Sequence, residues 1–207
     1  MKGWMPMKGW MASVLLLCAC SGSTPGNAAS GGAGGTASAA ALPGQGAISL
    51  QIGGPSSTCP EPGNVYPVGT PAPSAADPGQ SVIDGEGGTA ISCSVRGTGP
   101  FTFSGSLHAT SSDAARDPIT VTFSGGTVNA DKATGTVSVS VFTPQLEANF
   151  SSGSTPCTVE VINRQVKAGS IWANFSCPSL SSPPSGVCTS GVAPSVSTLV
   201  FENCDGS

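Results

Sequence analysis

The chain has 207 residues, a formal net charge of −4 and only 9% charged residues, against about 25% in an ordinary soluble domain. All eleven acidic residues but only five basic ones lie after Cys20, so that part of the chain carries a side-chain charge of −6. Nucleic-acid binding needs a basic stripe that neutralises phosphates, so this composition excludes a nucleic-acid partner. It also excludes membrane attachment through a polybasic patch.

Residues 1–19 have the pattern of a secretory signal peptide. Lys2 and Lys8 form a positive region, and the apolar stretch MASVLLL at 11–17 follows it. A transmembrane helix needs about 20 apolar residues, so this stretch is too short to span a bilayer. The sequence MKGWM occurs twice, and translation from either Met1 or Met7 would give a complete signal.

The four residues Leu17-Cys18-Ala19-Cys20 end this signal. They resemble the bacterial lipobox, in which an aliphatic residue at −3 and a small residue at −1 precede an invariant cysteine. The resemblance implies cleavage between Ala19 and Cys20, a diacylglyceryl group on the Cys20 sulfur, and an acyl chain such as palmitate on the new amine. Cys20 is favoured over Cys18 because lipidation of Cys18 would put the bulky Leu17 at −1. Each buried methylene contributes about 0.8 kcal/mol, so two or three chains form a stable anchor.

Residues 20–46 comprise the lipidated Cys20 and, after it, a linker rich in Gly, Ala and Ser. The linker has no charged or aromatic residue, so it cannot bury enough apolar surface to offset its ordering entropy. We expect a disordered tether whose ends lie about 25–30 Å apart on average. Ser21 stands where an enterobacterial inner-membrane lipoprotein has Asp. The resemblance therefore implies an exported protein anchored to a bacterial membrane, the outer one if the envelope is Gram-negative.

Residues 47–207 form the predicted exported domain. A Pro-rich loop at 53–80 interrupts it early, and short segments of alternating apolar and polar residues follow between Gly, Pro and Ser. The alternating segments are AISLQI at 47–52, TAISCSVR at 89–96, FTFSGSLHA at 101–109, ITVTF at 119–123, TVSVSVF at 136–142, LEANF at 146–150, CTVEVIN at 157–163, SIWANFSC at 170–177 and STLVFENC at 197–204. This spacing predicts an all-β domain, an antiparallel β-sandwich or barrel of about eight strands.

Six cysteines remain once Cys18 and Cys20 are assigned to the signal and the anchor. They are Cys59, Cys93, Cys157, Cys177, Cys188 and Cys204. An even number in an exported chain predicts up to three disulfides, each contributing about 2–4 kcal/mol. The sequence leaves the pairing open, and the arrangement we favour is Cys59–Cys93, Cys157–Cys204 and Cys177–Cys188. No spacing of two to four residues typical of a zinc site occurs among them, and we predict no metal.

The sequence contains few groups suited to catalysis. His108 is the only histidine, and it lies near several Ser and Asp residues in SGSLHATSSD. Alternation places it opposite Phe103 and Leu107, which favours a solvated strand residue over a hydrolytic triad. The segment DGEGG at 84–88 reads as a solvated turn rather than a calcium loop, and no G-x-S-x-G, S-x-x-K or H-E-x-x-H motif is present. We predict that the protein is not an enzyme and uses no cofactor; an envelope hydrolase that uses His108 is the alternative.

Trp172 is the one tryptophan after the signal, and it is a possible binding contact. Alternation puts its ring opposite Ile171 and Phe175, where an exposed aromatic side chain would suit stacking against a sugar. The other interpretation is a packed ring, beneath the Pro-rich loop or on a second sheet. A carbohydrate-binding module that uses Trp172 is therefore an alternative function, with a glycan or another envelope component as partner.

The segments SCSVRGTG at 92–99 and SIWANFSC at 170–177 lie early and late in the domain. Together with the lipobox and the tether, they are similar to the mycobacterial lipoprotein antigen family. The resemblance implies a small β-rich lipoprotein and supplies no catalytic residues. We expect a lipid-anchored protein of the cell envelope with a structural or partner-binding role.

Overall fold

The computed structural model describes residues 41–54, 58–60, 63–71, 81–110, 118–129, 132–191 and 196–206. The predicted signal peptide, the cleavage site at Ala19 and Cys20, and the tether up to residue 40 lie outside this part of the chain. The first strand begins at Gln45, two residues before the predicted start of the domain. No helix among the described residues is long and apolar enough to cross a bilayer.

The described residues form twelve strands in one sheet. The strands are β1 (Gln45–Gly53), β2 (Val65–Val68), β3 (Val82–Ile83), β4 (Ala90–Arg96), β5 (Phe101–Ala109), β6 (Ile119–Asn129), β7 (Thr134–Phe142), β8 (Phe150–Ser151), β9 (Cys157–Lys167), β10 (Ser170–Ser182), β11 (Gly186–Ser190) and β12 (Ser197–Glu202). Their order is β11-β1-β12-β10-β8-β7-β6-β5-β4, with β2 and β3 paired to β1, and β9 paired to both β10 and β7. Neighbouring strands are antiparallel, so the prediction of an all-β antiparallel domain is confirmed.

Strand β2 lies within the segment predicted as a Pro-rich loop at 53–80. It pairs with β1, where Ser49 lies opposite Pro67. Proline has no N–H to donate, and Pro67 is tolerated because β1 is the only partner of β2 among the described strands. Strand β11 also lies in a stretch for which alternation predicted no strand.

The segment LEANF at 146–150 is not the strand that its alternation predicts. A 3-10 turn at Pro144–Leu146 occupies its start, and Leu146 N donates to Thr143 Oγ1 at 3.3 Å. Proline is favoured in the first turn of a helix, since its missing N–H is not needed there. Strand pairing resumes only with the two-residue strand β8.

The inward side chains of the strands form one large hydrophobic cluster. The ring of Phe123 contacts two others edge-on, with centroid distances of 5.2 Å to Phe175 and 6.0 Å to Phe201. A Cβ at Gly105 would lie 2.7 Å from the Phe201 ring, so glycine permits a close approach there. Strands β5 and β6 therefore pack across the core against β10 and β12.

The C-terminal segment covers the outer edge of β4, the last strand in the sheet order. Val95 N donates to the Asp205 carbonyl oxygen at 2.9 Å, and Asp205 N donates to the Cys93 carbonyl oxygen at 3.0 Å. The Arg96 guanidinium forms an exposed ion pair with the Asp205 carboxylate. These contacts protect an edge strand that would otherwise be open to pairing with another chain.

Three disulfides join the six predicted cysteines, as Cys59–Cys188, Cys93–Cys204 and Cys157–Cys177. The predicted number is confirmed, but the favoured pairing is wrong at every bond. The sheet explains the observed one: Thr158 pairs with Ser176, which sets Cys157 beside Cys177. Similarly, Val187 N donates to the Thr58 carbonyl oxygen at 2.6 Å, immediately beside Cys188 and Cys59.

Candidate functional site

The outward side of β4 to β7 is occupied almost entirely by serine and threonine. Burial alternates along these strands, so apolar side chains enter the core and the residues between them face outward. The outward hydroxyl residues are Ser92, Ser94, Thr102, Ser104, Ser106, Thr120, Thr122, Ser124, Thr127, Thr134, Thr136, Ser138 and Ser140. We call this surface the hydroxyl face.

The register of the strands aligns these hydroxyl residues in rows. One row crosses all four strands through Ser92, Ser106, Thr122 and Ser140. Neighbouring strands lie about 4.8 Å apart, so one ligand can contact adjacent residues of a row. Alternation in the sequence predicts that Ser138 and Ser140 lie opposite the valines of their strand, but the rows themselves depend on strand register.

A cleft of about 250 Å³ lies within the hydroxyl face, where β6 bulges. The β6–β7 register shifts between Ser124 and Thr127, and Gly125 has a φ of 60° in the left-handed region. A Cβ at Gly126 would overlap the Phe103 ring, which packs against this glycine. Two adjacent residues without side chains therefore open the cleft. Its lining consists of Ser94, Thr102, Phe103, Ser104, Gly125, Gly126 and Thr127.

At one end of the hydroxyl face, His108, Thr120 and Phe142 lie side by side on β5, β6 and β7. Phe142 is 44% exposed, and it is the only exposed Phe, Tyr or Trp among the described residues. His108 is exposed, as alternation predicts, and its Nδ1 lies 2.7 Å from Thr120 Oγ1. Phe142 was missed by the sequence analysis, although its place after the inward-facing Val141 is a signal that could have identified it.

The hydroxyl face carries almost no charge. Arg96 is the one Lys, Arg, Asp or Glu among the outward residues of β4 to β7, and Asp205 neutralises it. One carboxylate borders the face: Glu160 on β9 is exposed and lies opposite Thr134, whereas Glu202 lies on β12. The charged groups are therefore confined to the margins of the face, and the rows of Ser and Thr between them are uncharged.

Trp172 lies on the outward side of β10 and is buried. It is 8% exposed and packs in a group that we call the tryptophan cluster, formed by Trp172, Ala47, Val200 and Ile162. Its Nε1 donates to Glu202 Oε1 at 3.0 Å. The ring does lie outside the main core, but it is not the exposed binding contact considered from the sequence. Among the described residues, its apolar neighbours Ala47, Ile162 and Val200 lie on strands β1, β9 and β12 of its own sheet.

The DGEGG turn at 84–88 leads into β4. Asp84 Oδ1 accepts a hydrogen bond from Ile91 N at 2.8 Å, so this carboxylate orders the turn. No group of three or more His, Cys, Asp or Glu side chains in the described part of the chain could hold a metal ion. The hydrolase alternative pairs His108 with a nearby Ser or Asp. Ser106 lies two residues before His108 on β5, and Ser111, Asp113 and Asp117 lie outside the described residues.

A scan against models of known protein families found no match, and neither the curated proteins nor the solved structures that were searched include a similar chain.

Proposed function

We propose that this protein is exported, is anchored to a bacterial membrane by lipid on Cys20, and acts at the cell envelope as a structural or binding component without catalysis. The lipobox-like residues Leu17 to Cys20 and the positive region before them are the basis for the anchor. The uncharged linker after Cys20 would hold the β-domain away from the lipid headgroups.

The observation that carries this proposal is the disulfide pairing of the cysteines. All six cysteines downstream of Cys20 are paired in disulfides, so Cys18 and Cys20 alone are left over. Disulfides form and persist in oxidising compartments outside the cytoplasm, which supports export. Removal of Cys18 with the signal and lipidation of Cys20 would leave no free thiol in the exported chain, which would otherwise retain an odd, reactive one.

Intact-mass spectrometry of the membrane-extracted protein tests the proposal. We expect a chain that begins at Cys20 and carries a diacylglyceryl group, and that gains two hydrogens for each of three disulfides on reduction. Cys20→Ser should abolish the lipid and the cleavage, whereas the matched variant Cys18→Ser should leave both intact. An unmodified Cys20, or lipid that is lost only in Cys18→Ser, would contradict the proposed anchor.

A further inference from the structure

We infer that the hydroxyl face binds a neutral glycan chain, with Phe142 stacked against one sugar ring and the glycine cleft on β6 accepting another part of the chain. This inference rests on the proposed binding role of the domain and names its ligand. It also moves the glycan contact from Trp172, whose ring is buried, to Phe142, whose ring is exposed.

The scarcity of unpaired charge on the face favours an uncharged ligand. Arg96, its one charged outward residue, already pairs with Asp205. An anionic polymer or an anionic lipid surface would find only the paired Arg96, and a cationic one would find only Glu160, opposite Thr134 at the margin of the face. A ligand without charge needs no counter-charge on such a surface.

The hydroxyl groups suit a sugar because each of them can both donate and accept hydrogen bonds. Each Ser or Thr hydroxyl can donate one hydrogen bond and accept others, as can each hydroxyl of a sugar. The row Ser92, Ser106, Thr122 and Ser140 presents hydroxyls at about 4.8 Å intervals across the sheet. Ser140 already donates its hydrogen to Asn149 Oδ1 at 2.6 Å, so it offers a ligand an acceptor. A chain of sugars that crosses the face would therefore meet matched partners repeatedly.

Phe142 and the cleft give this surface the two features that hydroxyl rows alone lack. An exposed aromatic ring supplies an apolar contact of defined geometry for the C–H face of a sugar. The cleft at Gly125 lies five residues along β6 from Thr120, the neighbour of Phe142. That separation is about 17 Å along the strand, so an oligosaccharide rather than a single sugar is needed to contact both.

A second copy of this chain is the competing occupant, and two observations disfavour it. The C-terminal segment covers the edge of β4 at Val95, so edge-to-edge pairing is blocked there. The face exposes a single large apolar side chain, Phe142, whereas stable protein interfaces have a buried apolar centre.

Calorimetric titration with hexasaccharides tests the inference on the full exported chain, held in a detergent without sugar headgroups. The neutral probes are cellohexaose, maltohexaose and chitohexaose, and the acidic control is hexagalacturonate. We expect at least one neutral probe to bind with a millimolar or lower Kd and the acidic probe not to bind. Phe142→Ala and Thr122→Lys should each weaken binding about tenfold, the effect typical of losing a central contact.

Two matched variants control for nonspecific effects. Val187 has the same 44% exposure as Phe142 but lies on β11, so Val187→Ala should leave binding unchanged. Thr155→Lys adds the same charge as Thr122→Lys in an exposed turn outside the face and should also have no effect. All four variants should keep three disulfides and unfold within about 3 °C of the wild type.

Each of the following results would overturn the inference: no neutral probe binds, both face variants bind like the wild type, or hexagalacturonate binds best. Self-association in sedimentation that Thr122→Lys abolishes, without glycan binding, would assign the face to a second copy instead. These outcomes are independent of the lipid on Cys20, because the titration does not require it and the mass measurement does not depend on glycan binding.

Discussion

The hydroxyl face and the tryptophan cluster are outward surfaces of the same sheet, but they place their aromatic side chains differently. Trp172 is 8% exposed and packs with Val200 and Ala47, whereas Phe142 is 44% exposed. Trp172 is surrounded by apolar neighbours on three strands and by a carboxylate that accepts its N–H. The neighbour of Phe142 on β6 is the smaller Thr120, which leaves its ring uncovered.

This difference in exposure implies that the two aromatic residues have different roles, one in the stability of the domain and one in ligand recognition. A buried aromatic residue with a satisfied polar atom contributes to the free energy of unfolding, because its apolar area leaves water on folding. An exposed aromatic residue among hydroxyls contributes little to folding and remains available to a ligand. The tryptophan cluster is therefore expected to stabilise the domain, and the hydroxyl face to tolerate substitution.

The largest expected effect comes from truncating the two aromatic residues. Trp172→Ala should lower the free energy of unfolding by about 3 kcal/mol, since it removes a large side chain from a packed group. Phe142→Ala should lower it by only about 0.5 kcal/mol, as is usual for a surface position. Denaturant titration under oxidising conditions measures both. Equal losses in the two variants would show that the faces do not differ in the way proposed here.

A smaller effect is expected from the two glycines that shape the cleft on the hydroxyl face. Gly126→Ala should destabilise by about 2 kcal/mol, because its Cβ would overlap the packed Phe103 ring. Gly125→Ala meets open space and should cost about 1 kcal/mol, from its left-handed φ of 60° alone. Thermal unfolding of the two variants compares them directly. A larger loss at Gly125 than at Gly126 would mean that backbone strain, and not the Phe103 contact, defines the bulge.

Alternation predicts which residues of β7 point inward and which of them face outward. Val137, Val139 and Val141 are buried as their spacing predicts, and the residues between them face solvent. Period-two burial is a local property of a strand, so it can be read from a short segment. The same local property failed at LEANF, where Pro144 favoured a 3-10 turn.

Strand register and long-range contacts could not be predicted in this way. The row from Ser92 to Ser140, the cleft at Gly125 and all three disulfides depend on which strands are neighbours and how they align. Cys59 and Cys188, for example, are 129 residues apart in sequence. Burial of Trp172 also depends on Val200 and Ala47, which reach it only through the pairing of β10, β12 and β1.

The smallest expected effect comes from removing the Glu202 carboxylate, which accepts the hydrogen bond from Trp172 Nε1 in the tryptophan cluster. Glu202→Ala should destabilise by about 1–2 kcal/mol, because the Trp172 N–H loses its acceptor at a partly buried site. Glu160→Ala, which removes an exposed carboxylate from β9, should change the free energy of unfolding by less than about 0.5 kcal/mol.

Without residues 1–19, Trp172 is the sole tryptophan, so its fluorescence reports this site alone. We expect a red shift of emission in Glu202→Ala as water reaches the indole, and none in Glu160→Ala. An unshifted spectrum with wild-type stability in Glu202→Ala would show that apolar packing alone holds the ring in place.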